Sequence, residues 1–185
     1  MNEFELFFKL GWQHILSLSS WDHLLFLTAL IVVFEIKEYK KILLLISLFT
    51  IAHTTSLLLS AYQVIKVNEN WVEKLILYTI IITAFSNLIF TNKNLLDRVH
   101  YYFSLFFGLI HGLGFATDFK LMVTGQKTIL FPVLEFTLGI ETAQISFAIV
   151  FLILVMILIK IFGWNKTNFV KIISAMIIGY SLAHV

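Results

Sequence analysis

The sequence contains no cysteine, which rules out a disulfide and removes thiolate from the set of metal ligands, so any metal this chain holds rests on nitrogen and oxygen. Proline occurs once, at Pro132, and nothing else in the chain forbids long uninterrupted helices. Charge is scarce as well. Asp, Glu, Lys and Arg make up 13% of the 185 residues, against roughly a quarter in an ordinary soluble domain. The basic residues stand singly or in pairs for a net charge of only +2, so there is no continuous cationic face of the kind nucleic acid requires. What is abundant is hydrocarbon: 59% of the residues are hydrophobic and 16% aromatic, with a mean hydropathy of +0.93. This composition predicts an all-α integral membrane protein with the lipid bilayer as a partner.

Crossing about 30 Å of hydrocarbon takes about 20 apolar helical residues. Six runs approach that length, at about 21–36, 42–65, 71–90, 99–117, 138–161 and 168–184, and polar segments such as "KEYKK", "KVNEN", "TNKNLLDR" and "WNKTN" separate them. A transmembrane barrel would instead alternate polar and apolar residues in short strands. The expected architecture is a single integral membrane domain over residues 1–185, a polytopic transmembrane helical bundle of about six spans. The first run is short, which calls for tilting, for lengthening backward through Ser19, or for a locally thin bilayer. Ahead of it, residues 1–18 set Phe4, Phe7, Phe8 and Leu10 beside Glu3, Glu5 and Lys9, the pattern of an N-terminal interfacial helix. The opening "MNEFE" lacks the basic start of a cleaved leader, so this helix is expected to be retained. Pro132 is expected to make "TILFPVLEF" a bent or interfacial lead-in to the fifth span rather than part of one long rod.

Lysine and arginine divide unevenly between the two sets of connecting segments. Lys37, Lys40, Lys41, Lys93, Arg98, Lys160, Lys166 and Lys171 fall on one side; Lys9, Lys66, Lys74, Lys120 and Lys127 fall on the other. By the positive-inside rule the richer side is cytoplasmic and both termini are outside. Trp12, Trp21, Trp71 and Trp164 stand at predicted boundaries, where an aromatic belt is expected.

An ionisable group in hydrocarbon costs several kcal/mol unless it is paired, so each one inside a span is a functional lead. On the second span Thr50, His53, Ser56 and Ser60 recur every three or four residues and share one face. Thr79, Thr83, Ser86 and Asn87 do the same on the third. Ser104, Gly108, His111 and Gly112 do so on the fourth, where the glycines permit close helix approach. On the fifth, Thr137, Glu141, Gln144 and Ala148 fall together while Glu135 lies about 120° away, so Glu141 is the preferred carboxylate. Counted from the outer helix ends at about 1.5 Å per residue, Asp22, His23, His53, His111 and Glu141 all fall in the outer half. For His53 and His111 the alternative to metal ligation is a buried imidazole bonded to a carbonyl or a threonine. Two such residues on neighbouring polar stripes, with a glutamate on a third, favour ligation. His100 and His184 sit at span ends and are assigned to the interface. "LFTIAHTTS" and "FFGLIHGLG" align on their histidines, a faint internal echo of the kind transporter repeats leave.

The stretch "HILSLSSWDHLLFL", residues 14–27, has two readings. In one, Ser19 or Ser20 caps a helix, Asp22 takes a favourable place in its first turn, and His23 faces headgroups. In the other, Asp22 and His23 offer a carboxylate and an imidazole to a divalent cation. His14 can join them only if the helix breaks near "SLSS", because residues nine apart in an unbroken helix point about 180° from each other.

In this order across residues 11–144, "GWQHILSLSSWDHLLFL", "FTIAHTTSL", "FFGLIHGLGFA" and "LGIETAQ" resemble the HupE/UreJ family of small bacterial membrane proteins, regarded as nickel or cobalt permeases. The resemblance implies an all-helical protein of the bacterial inner membrane that admits a transition-metal ion. It also implies a His…Asp-His motif falling on His14, Asp22 and His23, a later histidine motif on His111, and an acidic position on Glu141. Seven residues separate His14 from Asp22, where the family's spacing is usually shorter, and "HGLGFA" carries phenylalanine and alanine where the family often has another histidine. Both departures bear on coordination number and so on which metal is selected.

Two functions draw on this residue set. A passive or ion-coupled permease would capture nickel or cobalt at Asp22 and His23, with His14 if the chain breaks. It would pass the ion to His53, His111 and Glu141, and line the path with Thr50, Ser56, Thr83, Asn87 and Gln144. An intramembrane zinc-dependent hydrolase would use the same ligands and keep one position open for water. The permease needs a polar path onward to the cytoplasm; the hydrolase needs a dead-end site reached from the lipid. A structural subunit whose polar residues only join helices is a third reading, and a homo-oligomer is left open.

Overall fold

The structure, a computed structural model, describes residues 2–17, 20–126 and 128–185. Ser19, one of the two expected caps, and Lys127, one of the outer lysines, lie outside the described residues. Among the described residues every regular element is helical. The elements are α1 (Glu3–Leu16), α2 (Trp21–Ile31), a 3-10 turn (Ile36–Glu38) running into α3 (Tyr39–Ala61), α4 (Glu69–Ile89), α5 (Lys93–Gly114), α6 (Ala116–Met122), α7 (Leu130–Phe162) and α8 (Lys166–Leu182). Asparagines in the polar segments begin three of them. Asn2 forms a capping box with Glu5, Asn92 accepts from the Leu95 N–H, and Asn165 accepts from the Thr167 N–H.

Three helices are long and apolar enough to cross a bilayer: α3 with its leading turn, α4 and α7. The bent pairs α1–α2 and α5–α6, whose axes turn by 69° and 54°, raise this to five if each pair is one span. The run expected at 21–36 is therefore not a span by itself. Its helix, α2, has 11 residues, roughly 16 Å at 1.5 Å per residue. A second correction concerns Pro132, which neither bends the chain nor sets off a separate lead-in, since α7 is one helix of 33 residues. The proline is its third residue, inside the first turn, where its missing N–H would have no intrahelical partner. Gly163, with φ 62°, closes the far end of α7 in the left-handed conformation.

The first helix has a packing partner that its amphipathic pattern did not announce. Phe7, Gly11 and Ile15 form its buried face and lie on α7. A Cβ added to Gly11 would overlap the Phe136 carbonyl, and one added to Gly139 would overlap the Phe8 carbonyl, so the two backbones touch. A second close pair joins α3 and α5. A Cβ on Gly108 would stand 2.7 Å from the Phe49 carbonyl oxygen, and one on Gly112 would overlap the His53 carbonyl. The buried apolar residues include a large cluster drawn mainly from α2, α3 and α4, with Phe26, Leu30, Ile46, Phe49 and Ile80, and a smaller one drawn mainly from α1, α6 and α7, with Ile15, Phe119, Phe136 and Ile140. Outside the bundle, α7 presents Ile149, Val150, Leu154, Met156 and Ile161, a surface suited to lipid.

Charges gather at one end. Lys41 reaches Glu38 at 3.1 Å and Asp97 at 2.5 Å, Lys93 reaches Glu38 at 2.7 Å, and Lys166 donates to the Phe34 carbonyl. These contacts tie the starts of α3, α5 and α8 to the chain leaving α2.

Candidate metal centre

The break between α1 and α2 decides the geometry of the site. Because α1 ends at Leu16 and α2 starts at Trp21 on a different axis, His14 swings back toward His23 instead of pointing away. Their ring centroids are 4.7 Å apart. His53 arrives from α3, 5.7 Å from His23 and 5.9 Å from His14, and His111 arrives from the last turn of α5, 5.2 Å from His23. Two overlapping sets, His14–His23–His53 and Asp22–His23–His111, each bring one ligand atom per residue within 4.8 Å of the others. Four imidazoles and a carboxylate from four helices thus converge on one place between the two apolar clusters.

Hydrogen bonding sets the rings. His23 Nδ1 lies 3.1 Å from Asp22 Oδ1. An ionised carboxylate only accepts, so the proton sits on Nδ1 and Nε2 keeps a lone pair. His111 is set in the same way from α4. Thr79 spends its hydroxyl proton on the Ile76 carbonyl at 2.6 Å and so accepts from His111 Nε2 at 3.1 Å, which leaves the lone pair on His111 Nδ1. The two nitrogens freed in this way, His23 Nε2 and His111 Nδ1, have no hydrogen-bond partner, and neither do His14 Nε2 and both ring nitrogens of His53. A protein interior rarely leaves so many polar atoms unmet in one place.

A cavity of about 680 Å³ leads to the cluster, with His14, Asp22, His23 and His111 on its wall and Glu73, Asp118 and His184 also lining it. Asp22 and His14 are half-buried, whereas His53 and His111 are fully enclosed. Beneath the rings Phe26 and Phe49 stack at 5.1 Å, with His111 5.0 Å from Phe26 and 5.3 Å from Phe49.

Glu141 is not part of this cluster. Its carboxylate accepts from Ser47 Oγ at 2.6 Å, and the neighbouring Gln144 accepts from Thr50 at 2.8 Å, so both serve the α3–α7 contact. Helical periodicity assigned Glu141 the right face but carried no information on its height relative to His53. Glu135 likewise belongs to neither set of grouped ligand atoms among the described residues. Of the expected path residues, Ser56 donates to the His53 carbonyl and touches Gly112, and Thr83 donates to the Thr79 carbonyl. Asn87 joins three helices by donating to the Ala29 carbonyl at 2.8 Å and to Ser174 Oγ at 3.2 Å.

His184 is exposed, whereas His100 is enclosed within the bundle. It is fully buried, with Nε2 3.3 Å from Ser86 Oγ and the Phe34 and Phe103 rings nearby. The helix carrying it starts at Lys93, about six residues before the apolar run, which places His100 two turns inside. Asp97 was missed as part of this polar system, and Thr79, expected on the polar stripe of α4, was not foreseen as the partner of His111. The spacing of Asp97, His100, Ser104 and His111, which share one face of α5, was the available signal.

Comparison with curated proteins and with solved structures finds no match. The family comparison does: the model described as "HupE / UreJ protein" matches residues 1–185, so the chain belongs to the HupE/UreJ family.

Proposed function

We propose that this protein is a permease for a divalent transition-metal ion, nickel or cobalt, in the bacterial inner membrane, and that His14, Asp22, His23, His53 and His111 form its binding site. The observation that carries the reading is the set of imidazole nitrogens left without partners and turned toward one another in a buried place. A neutral imidazole with its lone pair free is a ligand for borderline divalent metals, and a nearby carboxylate lowers the cost of admitting the charge. Ligands of one ion bound at about 2.1 Å stand at most about 4.2 Å apart, so the rings need draw together only slightly. Asp22 and His23, with His14, receive the ion from the cavity, and His53 and His111 complete the replacement of its water. Asp22 and Thr79 act on this site by holding the tautomers of His23 and His111.

The proposed topology has six spans: α1 with α2 as one broken span, then α3, α4, α5 with α6, α7 and α8. Both termini are outside and the Lys37–Lys41, Lys93 and Lys166 end is in the cytoplasm. The break in the first span then falls at the ion site, as in transporters whose discontinuous helices carry the substrate. Glu141 and Gln144 are left out of the ion site for the reason given by their contacts with Ser47 and Thr50.

The permease is favoured over a zinc-dependent hydrolase by a polar seam that continues beyond the histidines. Thr79, Thr83 and Ser86 on α4 face His111, Ser104 and His100 on α5, all buried, so the site has a polar continuation toward the other end of the bundle. The test is metal influx into proteoliposomes loaded with a metal-sensitive dye. Influx that disappears in Asp22→Ala and His53→Ala, with both variants folded, is the expected result. Stoichiometric bound zinc without influx would instead favour the enzyme.

A further inference from the structure

We infer that Asp97 and His100 form a second divalent-cation site at the cytoplasmic end of the α4–α5 seam, held in this structure by the ammonium of Lys41 as a tethered substitute cation. The inference rests on the permease reading and adds an exit site to it.

His100 repeats the arrangement that prepares His111. Ser86 spends its proton on the Thr83 carbonyl at 2.7 Å and therefore accepts from His100 Nε2, as Thr79 does from His111. The Nδ1 of His100 is left without a hydrogen bond, although the ring also faces the Leu30 carbonyl. His111 lies eleven positions after His100, about three turns and about 16 Å along α5, so both rings face the same neighbour. Between them Ser104 is fully enclosed, and its hydroxyl has no partner.

One turn beyond His100 on that face, Asp97 supplies the charge a cation needs. It is only 6% exposed; one carboxylate oxygen is on Lys41 and the other has no hydrogen bond. A carboxylate this enclosed requires a cation beside it. The cation present is a movable one. The Lys41 side chain is 39% exposed, so its ammonium can withdraw toward water, and Glu38 already holds it from that side at 3.1 Å. A carboxylate, an imidazole with a free nitrogen and nearby buried hydroxyls are a suitable donor set for the same class of ion that the outer cluster takes. Two sites in sequence, each incomplete enough to release its ion, are what conduction demands.

The experiment counts Co2+ bound per chain by equilibrium dialysis of the full-length protein in detergent, following cobalt d–d absorption. Lys41→Gln is expected to raise the count from one to two with a second absorption component, and Lys41→Gln/Asp97→Asn and Lys41→Gln/His100→Gln to return it to one. A Lys41→Gln protein that still binds one ion with an unchanged spectrum overturns the inference. If the wild type binds no Co2+ while Lys41→Gln binds one ion that Asp97→Asn removes, the outer-site reading fails and the second site stands. The charge-exchanged variant Lys41→Asp/Asp97→Lys keeps an ion pair, so it guards against loss of folding. It is expected to lower Co2+ flux in liposomes at least about tenfold, the low end of what losing even an outer-shell partner costs, with outer binding unchanged. Wild-type flux in that variant would make the pair structural and overturn the inference.

Discussion

At the scale of single residues, the chemistry of the site lies as much in the partners of the histidines as in the histidines themselves. Thr79 illustrates this, because its hydroxyl is committed to Ile76 and can only receive the His111 proton. Thr79→Val keeps the shape and removes the acceptor. It should leave the protein folded and weaken Co2+ binding by about 10–100-fold, measured by titration in detergent; an unchanged affinity would show that the His111 tautomer is irrelevant. Asp22→Asn should have an effect of similar direction, because an amide can donate to His23 and free the wrong nitrogen. Asp22, His23, His53 and His111 were legible in the sequence because an imidazole or carboxylate among leucines has few alternative explanations. His14 was legible only conditionally, on a break that the serines allowed and the change of axis after Leu16 supplies. Glu141 lies apart from the histidines, which a helical wheel does not register because it gives azimuth without depth. Its partner Ser47 stands six residues before His53 on α3.

At the scale of elements, the site depends on two backbone-to-backbone helix pairs, α1 on α7 and α3 on α5. The α1–α7 pair sets His14, and its contact is made by Gly11 and Gly139. Gly139→Leu places a side chain where the Phe8 carbonyl now lies. It should cost at least about 1–3 kcal/mol, the usual range for overpacking, and appear as a lower unfolding temperature in detergent. Because α1 must move away, the same variant should also lose affinity for Co2+. The surface substitution Leu154→Ala, on the exposed side of α7, should do neither. The α3–α5 pair was foreshadowed by the repeated histidine segments and by the spacing of Gly108 and Gly112. The α1–α7 pair was not, because an amphipathic helix with a glycine in its apolar face is equally compatible with a membrane surface. The continuous α7 was misjudged for a similar reason. A proline breaks a helix interior but is accommodated in a first turn, and composition alone does not say where that turn begins.

At the scale of the whole molecule, the cavity lined by acidic and imidazole groups and the lysines gathered around Glu38 and Asp97 are the outer mouth and the inner end of the proposed path. The absence of cysteine makes this orientation easy to test, since each introduced thiol is the only one in the chain. Asn70→Cys should react with a membrane-impermeant maleimide in intact cells, and Asn94→Cys only after permeabilisation; the reverse pattern would invert the proposed topology. The all-helical membrane class was legible from composition, since so apolar a chain has no soluble alternative. The division into spans was only partly legible. Hydropathy does not register where a helix axis turns, and the axis turns sharply both between α1 and α2 and between α5 and α6.

The central claim is that imidazoles from separate helices share one divalent metal ion. X-ray absorption at the cobalt edge of the purified, Co2+-loaded protein tests it most directly. The expected spectrum shows a nitrogen-rich shell with the outer scattering of several imidazoles, and His53→Ala loses one imidazole while remaining folded. An oxygen-only shell, identical in the wild type, His23→Ala and His53→Ala, would contradict the account.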